Sequence, residues 1–141
     1  MITIGKTGKI VFSRLLESED VFESIKDRAE KGGIRAGFFI LIGTVKRSAL
    51  GFYKDGKYET IRLEGPLEVV SCTGNVAVDE KGETVIHAHI VVSNGKGEAF
   101  GGHLMKGSEV GATAELVMVE AVGAKIQRVH DEKTNLNLLK L

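Results

Sequence analysis

Proline occurs once in the 141 residues, cysteine once and tryptophan not at all. The lone cysteine, Cys72, cannot close an internal disulfide, so nothing here asks for an oxidising compartment. Net charge is missing too: 19 Lys and Arg balance 19 Asp and Glu. That balance excludes a chain whose whole surface neutralises phosphate and leaves only a local basic patch as a route to nucleic acid. No apolar run approaches the ~18–20 residues of a membrane helix. The longest, Ala36 to Val45, is short, β-branched and glycine-bounded. Met1 to Gly8 lacks the long apolar core of a secretory leader, so a cytoplasmic protein with no membrane partner is expected.

What is present describes a folded protein. Hydrophobic residues make up 43% and charged residues 27%, too apolar for disorder. The length suits a single domain over residues 1–141. Eighteen glycines, nearly double the usual ~7%, point to many tight turns and bulges between strands.

Lys9 to Leu16 reads as a first strand, and one convincing helix follows. Ser18 is its expected N-cap, and Glu19, Asp20 and Glu23 lie where the helix dipole favours anions. Val21, Phe22, Ile25 and Ala29 form an apolar stripe, and Gly32-Gly33 supplies a left-handed stop. Every later segment patterns as strand. Ser48 to Tyr53 and Tyr58 to Leu63 flank Lys54-Asp55-Gly56-Lys57, a hairpin signal. Gly65-Pro66 is expected to break the chain before Leu67 to Val78. Further strands are expected at Thr84–Ser93, Glu98–Leu104, Ala112–Glu120 and Lys125–Val129. The tail, Thr134 to Leu141, reads as a helical turn or a docking arm. The expected fold is α+β, a mainly antiparallel β-sheet with one main helix near the N-terminus.

Of the four histidines, His87, His89 and His103 lie within seventeen residues in an apolar, glycine-rich stretch. His87 and His89 are two apart on a strand, so both leave the same face, opposite Ile86, Ala88, Ile90 and Val92. Neutral imidazole is a good ligand for zinc or another divalent transition metal, and three ligands with an open position make a catalytic arrangement. His103 joins that face only if the loop around Asn94 to Gly97 has an odd length, three or five residues. Gly101-Gly102 before it allows either a close backbone approach or a second bulge, so the register stays open. A polar face bonded to backbone is the competing reading. His130, in a charged segment, reads as solvent-exposed.

Glu68 sits in the apolar strand Leu67-Glu68-Val69-Val70 and is the candidate catalytic carboxylate: a partner to a histidine, a metal ligand or a general base. A solvent-facing residue of an alternating strand is the competing reading, and Glu115 has similar standing. Cys72 reads as a small core residue. Lys46, Arg47, Lys54 and Lys57 form a loose basic cluster that reads as a solvated face.

The ordered set Gly65-Pro66-Leu67-Glu68, Gly74-Asn75-Val76, His87-Ala88-His89, Gly101-Gly102-His103-Leu104 and Thr113-Ala114-Glu115 resembles the PPC (plants and prokaryotes conserved) domain. The likeness extends upstream through Arg14 and Glu19-Asp20, and downstream to Arg128, Asp131 and Thr134-Asn135-Leu136. It implies a central, mainly antiparallel sheet and a homotrimer. It also implies a metal on a histidine cluster, matching His87, His89 and His103 here. Plant relatives bind AT-rich DNA, largely through a separate Arg-Gly-Arg-Pro hook; this chain has no Arg-Gly-Arg and no basic tail. Two functional classes remain. One is a DNA-binding or regulatory module in which metal and trimer are structural. The other is a metal-dependent enzyme, of hydrolase or lyase type, acting on a small anionic or carbonyl-bearing molecule.

Overall fold

The computed structural model describes residues 1–141. Its elements run β1 (Lys6–Leu15), α1 (Val21–Gly32), β2 (Gly37–Lys54), β3 (Lys57–Val78), β4 (Thr84–Ser93), β5 (Ala99–Leu104), β6 (Glu109–Val122), β7 (Gln127–Asp131) and β8 (Leu136–Lys140). The strands form one sheet in the order β1-β6-β2-β5-β4-β3-β7-β8, antiparallel except where β3 meets β7. Because β2 also pairs with β3, the strands β2, β5, β4 and β3 close into a small barrel-like ring. The fold is therefore mostly antiparallel β with a single short helix, placed between β1 and β2.

The helix starts two residues later than Ser18 suggests. Ser18 has a positive φ of 69°, and Asp20 is the N-cap, its Oδ1 accepting the Glu23 N–H at 3.0 Å. The other carboxylate oxygen, Oδ2, accepts from the Gly107 N–H, tying the helix start to the β5–β6 turn. At the far end Gly33 takes the left-handed conformation, φ 65°, as the glycine pair predicts. Val21, Ile25 and Ala29 are fully buried in a core that includes Phe39, Leu41, Ile90, Leu116 and Met118.

Asp55 and Gly56, with φ of 50° and 78°, make the two-residue hairpin turn between Lys54 and Lys57. Gly65-Pro66, in contrast, does not end a strand, and β3 runs straight through it. The ladder slips there, from Val45↔Leu67 to Arg47↔Glu64, so β3 carries an extra residue. Pro66, which has no N–H to offer, lies in that irregular stretch. The tail is also strand rather than a helical turn. Asp131 Oδ2 accepts from the Thr134 N–H and hydroxyl, Asn135 turns left-handed at φ 54°, and β8 folds back on β7.

Candidate metal centre

The centre is built by the β4–β5 hairpin. Its register pairs His89 with His103 and Ser93 with Ala99, which leaves the five residues 94–98 in the loop. The loop length is odd, the condition that puts His103 on the face of His87 and His89. Asn94 organises it, its Oδ1 accepting from the Lys96 and Glu98 N–H groups, while Gly97 turns at φ 77°. Gly101-Gly102 is not a bulge, for the pairing passes through it unshifted. Gly102 instead lets the neighbouring strand β2 approach closely, since a Cβ there would meet the Gly51 carbonyl oxygen at 2.9 Å.

On β4, Ile86, Ala88, Ile90 and Val92 are buried and lock the pleat, because a one-residue slip would turn the imidazoles into the core. The result is one cluster: His87, His89 and His103 each offer a ring nitrogen, and all three lie within 4.8 Å of one another. Asn75, opposite His87 on β3, holds the Arg128 guanidinium with its Oδ1 at 2.9 Å. The same Nη2 donates to His87 Nδ1 at 3.1 Å, and Nη1 donates to the Asn137 carbonyl at 2.8 Å. Tyr58 stacks on His103 with ring centroids 4.5 Å apart.

Burial, with the charges of His87, His89 and Arg128, pushes His103 down to about 4. Burial and then Arg128 also lower His87. Both rings are thus held in the neutral form, the one that ligates metal. His103 Nδ1 is buried with no hydrogen-bond partner, an orphan atom of the kind that metal coordination satisfies. The three imidazoles, of which His87 and His103 line a cavity of about 480 Å³, are positioned to hold a metal ion. The cavity wall includes His87, His103, Tyr58, Arg128 and Leu136.

Glu68 is not brought to this cluster. It is exposed on β3 opposite Ser93 and Thr44, and it does not line the cavity. Thr73, the β3 partner of His89, lies five positions further on, roughly 16 Å along a strand. Glu115 is likewise exposed, opposite Arg14 and Ile42. His130 is exposed at the cavity rim, outside the cluster. Cys72 is a core residue whose thiol burial pushes up to about 12. Lys46 pairs with Glu17 at 2.8 Å and Arg47 with Glu109 at 3.5 Å, so neither is a free phosphate contact. Arg128 and Tyr58, in contrast, join the centre although no spacing pattern singles them out.

The description "Plants and Prokaryotes Conserved (PCC) domain" matches residues 2–122, and the chain belongs to that family. It is similar to the metal-containing protein AF0104 of Archaeoglobus fulgidus, with 29% identity, a TM-score of 0.90, and coverage of 100% of this chain and 99% of that one. A plant- and prokaryote-conserved (PPC) protein of Pyrococcus horikoshii is 33% identical, with a TM-score of 0.90 and the same coverage. The "Putative DNA-binding protein" of Ralstonia eutropha JMP134 is 26% identical, with a TM-score of 0.81 over 92% of this chain and 90% of that one. A curated relative, the bifunctional protein GlmU of a Synechococcus strain, is 26% identical over 86% of this chain. The chain spans only 18% of that protein's length.

Proposed function

We propose that this protein is a metal-dependent small-molecule enzyme, of hydrolase or lyase type, built on His87, His89 and His103. The observation that carries the reading is the convergence of three ring nitrogens within 4.8 Å beside a cavity of about 480 Å³. A bound zinc, or another divalent transition metal, would polarise a substrate oxygen there. The chain's own part is to hold His87 and His103 neutral, fix His103 against Tyr58 and present Arg128 to the cavity. The metal-containing relative from Archaeoglobus supports the reading. Elemental analysis of the untagged protein after incubation with zinc tests it. Near one metal per chain is expected, and none would overturn it.

A second reading, a DNA-binding or regulatory module, is favoured by the name of the Ralstonia relative. It requires salt-sensitive affinity for duplex DNA, measurable by fluorescence anisotropy.

The assembly in this proposal is a homotrimer. Ile10, Phe12, Phe38, Ile40 and Ile42 are between 49% and 78% exposed. The pairings Phe12↔Val117↔Ile40 and Ile10↔Val119↔Phe38 place them side by side on one face of β1, β6 and β2. An apolar face of this kind suits burial against further copies of the chain. No helix is long and apolar enough to cross a membrane. A cytoplasmic setting agrees with a single buried, unpaired cysteine.

A further inference from the structure

We infer that Arg128 is an oxyanion-binding group held shut by His87 in the metal-free protein and released when the three histidines take up their metal. The inference rests on the metal-centre reading above and adds to it the ligand class and a coupling between two sites.

Arg128 is 8% exposed, and its side chain bonds Asn137 O, Asn75 Oδ1 and His87 Nδ1. No carboxylate is among these partners, and no Asp or Glu lines the cavity that Arg128 borders. Its Nε–H is buried and unpartnered. A cation this enclosed is normally paired with an anion. Here the opposite charge is missing from the protein, and open space lies beside it.

The bond to His87 supplies the gate. A guanidinium can only donate, so His87 Nδ1 must accept. His87 can give the Nδ1 lone pair to Arg128 or to a metal, but not to both. If His87 ligates through Nε2 instead, its Nδ1 carries the proton, and a donor faces a donor. By either route an Nη2–H of Arg128 loses its acceptor. The unpartnered Nε–H and the freed Nη2–H then offer two charged donors to a carboxylate or phosphate. Asn75 and Asn137 stay in place and keep the group aimed. Metal binding therefore leaves a positioned, acceptor-hungry cation next to the coordination site. The ligand it selects is a small molecule bearing a carboxylate or phosphate.

Calorimetric titration with inorganic phosphate, of the metal-free and zinc-loaded protein, tests the coupling. Zinc is expected to tighten phosphate binding at least ~10-fold, and phosphate must tighten zinc by the same factor. Arg128→Gln is expected to keep one zinc per chain and lose the enhancement. Equal phosphate affinity with and without zinc overturns the inference while leaving the metal centre intact, as does full enhancement in Arg128→Gln. Failure of the wild-type chain to bind zinc overturns both. Should Arg128→Gln misfold, the wild-type protein still decides. Its Arg128 Nε–H resonance, assigned with Arg128→Lys, is expected to move on zinc addition, and an unmoved resonance overturns the inference.

Discussion

His89 and His103 stand directly opposite each other across the β4–β5 pair, with ring centroids 5.7 Å apart. Directly opposed residues have Cβ atoms about 4.5–5.5 Å apart, which lets two imidazoles reach one ion. His87, two residues along the same strand, closes the triangle. The centre is thus a property of one hairpin register, and it exists because the 94–98 loop has an odd number of residues.

His87→Ala, His89→Ala and His103→Ala should each lower bound zinc sharply, because removing any one leaves two nitrogens for the ion. His130→Ala should retain full metal, since His130 lies outside the cluster. Plasma mass spectrometry of the four variants reads the difference. Equal retention in all four would remove the metal assignment.

Tyr58 should matter through its ring. His103 Nδ1 has no hydrogen-bond partner, so the stacked phenol is a main constraint on that imidazole's plane. Gly51 makes the contact possible, for a Cβ there would lie 2.9 Å from Tyr58 Cδ1. Groups that orient metal ligands typically contribute 10–100-fold in affinity, so Tyr58→Ala should weaken zinc binding about 10-fold. Tyr58→Phe should stay near wild type. A competition titration against a zinc chelator measures both.

How much of this was legible in the chain depends on distance along it. The alternation of His87 and His89 with Ile86, Ala88 and Ile90 fixes a face from local pattern alone. The Asp55-Gly56 turn and the Gly33 helix stop are equally local, each set by backbone that only a few residue types tolerate. Arg128 belongs to the family pattern, but its place beside the histidines is out of reach of the sequence. It arrives through a short parallel contact of β3 with β7, Val78↔Gln127, which no local periodicity encodes. The place of Glu68, apart from the cluster within the chain, is hidden for a related reason. An acidic residue in an apolar run reads the same whether it faces a site or solvent, and here it faces solvent. Pro66 misled because a breaker and a bulge have the same local chemistry.

The β7–β8 turn should weaken in acid. Hydrogen bonds from the Thr134 hydroxyl and N–H hold the Asp131 carboxyl below its usual value. A carboxylate whose folded pKa is depressed stabilises above its unfolded pKa, near 3.9, and loses that contribution as pH falls through the folded value. The melting-temperature gap between wild type and Asp131→Ala should therefore be full at pH 6 and narrow below about pH 4. A gap that does not change with pH would mean that the charge on Asp131 contributes nothing. Because Leu136 and Asn137 of this hairpin wall the cavity, acid should loosen the cavity wall as well.

Asp20 should be the most costly polar residue of the helix start, because it serves two donors at once. Its Oδ1 caps α1 through the Glu23 N–H, and its Oδ2 holds the Gly107 N–H at 2.7 Å. Losing a cap alone typically costs ~1 kcal/mol. The second bond ties α1 to the turn before β6, and breaking it leaves a part-buried N–H without an acceptor, a further ~1 kcal/mol or more. Asp20→Ala should therefore destabilise the fold by about 2 kcal/mol. Asp20→Ser keeps one acceptor oxygen at the cap and should recover roughly half of that loss. Urea denaturation of the three proteins at one pH gives the values. If Asp20→Ser were as unstable as Asp20→Ala, the helix cap would contribute little, and the bond to Gly107 would account for the effect.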